Sequence, residues 1–292
     1  TAFRRTHMRL DSIMILNNIR KVRRSVLDWR PSVITISPRT FDRASPVQLL
    51  EWLCHRYGFG TYLHHIPGML TPDTFRESRI VQEHLVRAER ERRGAIYMDT
   101  MVSPSMASAL AQSLQMPGVS GMENNTILFE LADHDGDEVV REVLAGLRLS
   151  AASRMNRLVL RHGENFFGSH KSIHVWLTWH DTRNANLMIL LSYILLGHPD
   201  WREAEISIFA AYPRQEARER TEQLNEMISG GRLLISEKNV LVIGTDDRID
   251  FEQLVEARSG EADLVLVGFT DERLERRGAY MARHIHWPHH GS

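Results

Sequence analysis

The sequence has one cysteine, Cys54, in 292 residues. That excludes an internal disulfide framework and suits a reducing compartment. No Gly-x-x-x-x-Gly-Lys-Ser/Thr run and no Gly-x-Ser-x-Gly elbow occurs, so two common signatures of phosphate binding and of serine hydrolysis are missing. Neither sign of charge is in excess: 36 Lys and Arg face 37 Asp and Glu. Nucleic-acid binding by bulk electrostatics is therefore excluded. Long hydrophobic runs are missing too. The longest, Leu187 to Leu196, is interrupted by Ser192 and has about half of the roughly 20 residues that span a bilayer. Arg4, Arg5 and Arg9 are not followed by the apolar stretch of a secretory signal.

What is present is a repeated rhythm. Residues Leu10 to Asp28 read as an amphipathic helix, with Leu10, Ile13, Leu16, Ile19, Val22 and Val26 on one stripe. Arg20, Lys21, Arg23 and Arg24 lie on its other face. That face is either a solvated basic surface or a segment next to a membrane on its cytoplasmic side, where Lys and Arg accumulate. Pro31 stops the helix, because the residue before a proline is pushed out of the α region. Val33, Ile34 and Ile36 then form a β-branched strand.

Further strands are expected at Thr61–Ile66, Ala95–Met101, Thr126–Leu131 and Arg157–Arg161. Helices are expected from Pro46 to Leu53, from Pro72 to Gly94 with Thr71 as N-cap, from Pro104 to Leu114 and from Gly136 to Ser150. Gly163 to Lys171 has no period and reads as a link. A second series follows. Its strands are Ser172–Trp179, Glu205–Ala211, a run within Arg232–Ile243, and Asp263–Gly268; its helices are Asn184–Leu196, Gln215–Ile228 and Phe251–Arg258. Alternation of this kind predicts α/β architecture with mainly parallel sheets flanked by helices, in two halves. The expected limits are a helix in residues 1–30, a first subdomain in 31–165 and a second in 166–292.

Candidate chemistry is sparse. The loop after the first strand, Ser37 to Arg43, has no glycine to wrap a phosphate. His64 and His65 are neighbours on a strand and face opposite sides, so they do not ligate one ion together. His284, His286, His289 and His290 crowd the tail and read as a tail rather than a metal site. Cys54 and His55 point in different directions on a helix, which favours a packed cysteine over a nucleophile–base pair. Asp133-His134-Asp135-Gly136 reads as an acidic helix cap in preference to a charged cleft. Trp176, Trp179 and Trp201 read as core, since no basic patch interleaves with them. No catalytic, cofactor-binding or metal-ligating residue is assigned.

A family resemblance emerges from the order of several short stretches. These are Leu16-Asn17-Asn18; Trp29-Arg30-Pro31 with a strand ending Pro38-Arg39; Gly121 with Asn125-Thr126; Lys171-Ser172-Ile173-His174-Val175-Trp176; Leu190-Leu191 with Tyr193-Ile194-Leu195; Trp201-Arg202; and Ile206, Ile208 and Phe209. Over roughly Leu10 to Leu274 the chain resembles the cytoplasmic C-terminal domain of cation-chloride cotransporters. The resemblance implies two Rossmann-like halves similar to universal stress proteins. It also implies a non-catalytic regulatory and dimerising module on the cytoplasmic side of the cell membrane. A membrane domain outside this sequence would move chloride with sodium and/or potassium. Long insertions of animal members are missing, which suggests a prokaryotic version.

The alternative is a free nucleotide-binding protein of the universal stress type, because Ala262 to Gly268 resembles that family's last strand. Members that bind ATP continue with a second glycine. Here Phe269-Thr270-Asp271-Glu272 follows, and two carboxylates stand where phosphate would lie.

Overall fold

In the computed structural model the described residues are 29–56, 58–92, 96–116, 118, 123–163, 166–178, 184–229, 239–245 and 251–276. The expected helix at Leu10 to Asp28, Gly121, Trp179 and the histidine-rich tail lie outside them. Two compact units are present. One holds the described residues up to Leu131 together with Gly136–Leu160, and the other holds Ala132–Asp135 with those from Arg161 onward.

The first sheet is built from β1 (Ser32–Ser37), β2 (Phe59–Pro67), β3 (Ile96–Ser103), β4 (Thr126–Ala132) and β5 (Asn156–His162), in the order β3-β2-β1-β4-β5. β1 pairs in parallel with β2 and β4, and β2 with β3. β5 runs the same way, since Asn156 N–H meets the Asn125 carbonyl at one end and Asp133 N–H meets the His162 carbonyl at the other. The connecting helices are α1 (Ser45–Cys54), α2 (Pro72–Arg92), α3 (Met106–Ser113) and α4 (Asp137–Ala151). Central strands of parallel sheets are covered on both faces, and Val33, Ile34, Ile127 and Leu128 are all buried accordingly.

Local chemistry sets the ends of these elements. Thr71 and Thr74 cap α2 reciprocally: Thr74 N–H donates to Thr71 Oγ1 at 3.2 Å, and Thr71 N–H to Thr74 Oγ1 at 2.9 Å. α3 starts two residues later than the expected Pro104, because Ser105 is its N-cap and accepts Ser108 N–H at 3.2 Å. β3 runs on to Ser103, two residues past the expected end. Gly58 permits the tight entry to β2. A Cβ there would lie 2.8 Å from the Pro31 carbonyl oxygen, which accepts Phe59 N–H at 2.8 Å.

The second sheet repeats the plan with β6 (Ser172–Thr178), β7 (Glu205–Pro213), β8 (Val240–Thr245) and β9 (Leu264–Val267), in the order β8-β7-β6-β9. All three pairings are parallel. Its helices are α5 (Ala185–Leu196), α6 (Arg214–Ser229) and α7 (Phe251–Ser259). Numbered from its own first strand, this order is 3-2-1-4, the order of the first four strands of the other sheet. Trp176 anchors the core on one face, stacked on Phe209 at 4.8 Å between ring centroids and edge-on to Phe251 at 5.6 Å. No helix among the described residues is long and apolar enough to cross a membrane.

Candidate functional site

In a 3-2-1-4 sheet the winding reverses between the first and fourth strands, and ligands of open α/β sheets bind beyond the carboxyl ends of the strands at that point. In the first unit this place is filled by the protein's own polar side chains. Ser37 ends β1 and donates its hydroxyl to Glu130 Oε1 of β4 at 2.5 Å. Thr40 Oγ1 lies 2.7 Å from His64 Nδ1. Tyr62, on β2, is fully buried. Its hydroxyl makes no hydrogen bond of good geometry, although the hydroxyls of Ser37 and Thr40 lie near it. Burial and then the charge of Glu130 push its pKa up to about 12. Arg43, also buried, adds the opposing positive charge. Ser37, Thr40, Arg43, Tyr62 and Glu130 are buried and His64 is half-buried, and the charges of Glu130 and Arg43 oppose each other at Tyr62.

The second unit fills the same place differently. Ser32 and Ser172 open β1 and β6, and the strand registers superpose from there. Ser37 then corresponds to Leu177, Tyr62 to Ile208, His64 to Ala210 and Glu130 to Gly268. Each of these four polar residues is replaced by an apolar or absent side chain. Beyond Gly268, Asn184 Nδ2 donates to the Phe269 carbonyl at 2.8 Å, and Thr270 Oγ1 accepts Arg273 N–H at 3.3 Å, capping a helical stretch at 271–276. Asp271 and Glu272 therefore begin a helix, where carboxylates are favoured by the helix dipole.

At the opposite, amino ends of the strands the two units share one device. Asn125 precedes β4; its Oδ1 accepts Ser32 N–H at 3.0 Å, and its Nδ2 donates to the Arg30 carbonyl. Asp263 precedes β9 and accepts the backbone N–H groups of Ser169, Lys171 and Ser172 at 2.7, 2.7 and 2.9 Å. Burial alone would raise the Asp263 pKa, but the bonds from Lys171, Ser169 and Ser172 outweigh it and hold the group below 3.8. Gly168 adopts φ +56°, and a Cβ on it would lie 2.0 Å from Asp263 Oδ1. Phe167 and His170 rest on Trp201, with centroids 6.4 and 4.8 Å apart. The link from 166 to 171 is thus fastened to the second unit.

The singled-out residues are distributed as follows. His65 is buried, its Nε2 3.0 Å from the Ser103 carbonyl oxygen. His64 is half-buried, and burial followed by the charge of His65 lowers its pKa below 6.5. Cys54 is buried and His55 exposed; burial pushes the thiol pKa up to about 12. The acidic cap is corrected. Gly136 caps α4 without a side-chain bond, Asp135 Oδ2 accepts Ala132 N–H at 2.8 Å, and Asp133 pairs with Arg161 at 2.9 Å. The carboxylates close the turn after β4 instead, and Asp137 and Glu138 supply the acidic first turn. Trp176 and Trp201 pack inside the second unit. Among the described residues no three His, Cys, Asp or Glu side chains assemble into a metal-binding group. Glu130, Tyr62 and Asp263 were not singled out in the sequence. A charged residue inside the apolar run Thr126–Ala132 is the signal that marks Glu130.

The chain matches no known family profile. Among solved structures it resembles the cytoplasmic domain of a prokaryotic cation chloride cotransporter, with 14% identity over 87% of this chain and 93% of that one and a TM-score of 0.55. It also resembles a protein assigned as a universal stress protein from Pseudomonas aeruginosa UCBPP-PA14, with 13% identity over 84% of each chain and a TM-score of 0.50. At such identities the likeness is one of fold: two Rossmann-like units with mainly parallel sheets.

Proposed function

We propose that this chain is the cytoplasmic regulatory and dimerising domain of a cation-chloride cotransporter, carrying sodium and/or potassium with chloride, and that it is not a catalyst. The observation that carries this reading is the extent of the likeness, which runs through both units and takes in 93% of the cotransporter domain. The ordered stretches from Leu16 to Phe209 support it from the sequence. In this reading residues 1–30 join a membrane domain to subdomains at 31–165 and 166–292, on the cytoplasmic side of the cell membrane. Arg20, Lys21, Arg23 and Arg24 would each favour an anionic inner leaflet by about 1 kcal/mol near its surface.

The proposed dimer is two-fold symmetric and brings one patch together with its copy. α5 of the second unit offers such a patch: Leu190 is 39% exposed, and Leu187 and Ile194 beside it are half-buried. A membrane domain raises the effective concentration of its attached partners, so the contact is tested in the full-length protein. Cysteines placed on the outer face of α5 should crosslink subunits in membranes. If positions across both units never join two subunits, the dimerising role fails.

A nucleotide-binding protein of the universal stress type is the second reading, favoured by the likeness to the Pseudomonas protein. The loop beyond Gly268 speaks against it, because the second glycine is missing and Asp271 and Glu272, opening a helix capped by Thr270, bring two carboxylates that repel polyphosphate. Titration with ATP in a calorimeter separates the two. The cotransporter reading expects no heat of stoichiometric binding, and a micromolar site would favour the nucleotide binder.

A further inference from the structure

His174 and Trp176 are two apart on β6 and so share one face of the sheet. Ser259, near the end of α7, lies between them. Trp176 Nε1 donates to Ser259 Oγ at 2.8 Å, and Ser259 Oγ lies 2.8 Å from His174 Nδ1. Trp176 is 0% exposed and Ser259 1%, while the His174 ring is half-buried against Phe209, 5.0 Å between centroids.

Proton counting settles the direction of each bond. An indole N–H only donates, so Ser259 Oγ accepts from Trp176. The serine has one proton of its own, and among the described residues His174 Nδ1 is the one acceptor within its reach, so the proton is assigned to that bond. That nitrogen must then be unprotonated, and the ring is neutral with its hydrogen on Nε2. A protonated ring would donate from Nδ1 instead. Ser259 Oγ would then receive two donors, and its own proton would have to leave the pair.

We propose that His174 is a proton-sensing switch of the second unit: proton uptake reverses its hydrogen bond to Ser259 and loosens the hold of α7 on the sheet. The surroundings are otherwise quiet. From β7, Ser207 stands opposite His174 and Phe209 covers it; neither carries charge. From α7, Ser259 and Val255 face inward, while Glu256 and Arg258 are exposed. From β9, Val265 is the register partner, and Asp263 at its head is the charged group that acts on the ring. Asp263 also fastens the link, so charge gained at His174 appears beside that fastening.

Burial lowers the His174 pKa, the Asp263 charge raises it, and burial prevails, leaving it below 6.5. A lowered folded-state value means that the neutral ring supports the fold above pH 6.5. That support is lost as the pH falls from 6.5 through the folded value. The switch therefore operates on the acid side of neutrality, the range in which histidine serves as a sensor.

Nitrogen NMR of the whole chain tests this. The His174 and Trp176 side-chain signals are assigned through bonds from the backbone of the isotope-labelled unmodified protein. The expected result at pH 7.5 is the Nε2–H tautomer, with a titration midpoint below 6.5. The indole N–H resonance of Trp176 should move with the same midpoint and become pH-independent in His174→Gln, whose amide oxygen accepts the serine proton at any pH. A proton on Nδ1 at pH 7.5 would overturn the proposal, as would a Trp176 resonance that ignores the His174 titration. Both of these are read on the unmodified protein, so the proposal stays testable if the variant fails to fold.

Discussion

Asp263 and Ser172 are joined in both directions. Asp263 Oδ2 accepts the backbone N–H of Ser172 at 2.9 Å and its hydroxyl at 3.1 Å, while Asp263 N–H donates to that same hydroxyl at 3.0 Å. Asn125 and Ser32 stand in the corresponding place, with Asn125 N–H donating to the Ser32 carbonyl at 3.0 Å. The first unit uses a neutral amide there and the second a carboxylate. The difference follows from what has to be held: Asn125 receives one strand opening, whereas Asp263 also holds the amides of the link.

Asp263→Ala should be costly. Hydrogen bonds to charged groups contribute about 1.5–3 kcal/mol each when buried, and this site is partly exposed, so a loss of about 2–3 kcal/mol is expected on urea unfolding. Asp263→Asn keeps one accepting oxygen and should lose less. The wild-type contribution is complete above pH 3.8 and declines as the pH falls through the lower folded value. The variants should therefore converge with wild type in strong acid, and a gap that stays constant down to pH 2 would contradict the assignment.

Ser37→Ala tests the buried polar group of the first unit. It removes a donor from a carboxylate that is only 6% exposed. Leaving such an acceptor short costs about 1–3 kcal/mol, measured as a drop in the denaturation midpoint. A neutral effect would mean that the Glu130 carboxylate does not depend on Ser37.

Cys54 should be silent to thiol reagents in the folded protein. The thiolate is the reactive form, and burial pushes the thiol pKa up to about 12. Labelling with iodoacetamide at pH 8 should proceed only as fast as the chain opens, and should become complete in denaturant. Rapid labelling under native conditions would contradict the burial of the sulfur.

Apolar periodicity made most of the fold legible. Val33, Ile34 and Ile36 announce β1, and Ile173, Val175 and Leu177 announce β6, because central parallel strands must be apolar on both faces. Element ends were less legible. Pro104 is a fair opening residue for a helix, but Ser105 supplies the side-chain oxygen that fixes the first turn. The acidic run Asp133 to Asp135 has the composition of a helix cap, yet Arg161, 28 residues away, takes the first carboxylate. Asp263 was opaque for the same reason. The serine it holds is 91 residues distant, and nothing nearby distinguishes it from any acidic residue beside a strand. Glu130 was visible only as an interruption, since its meaning depends on Ser37, 93 residues earlier.

Gly168 carries one further consequence. Its backbone conformation disfavours any side chain, and the carboxylate of Asp263 occupies the space that a Cβ would need. Alanine at 168 must therefore push that carboxylate away from the Ser169 amide it binds. A substitution at 168 and one at 263 injure the same structure, so the second adds little to the first, and the double variant is less damaged than the two single effects summed. The two positions form one heritable unit: drift at either is penalised while the other stays intact, and much of the penalty disappears once the partner has already changed.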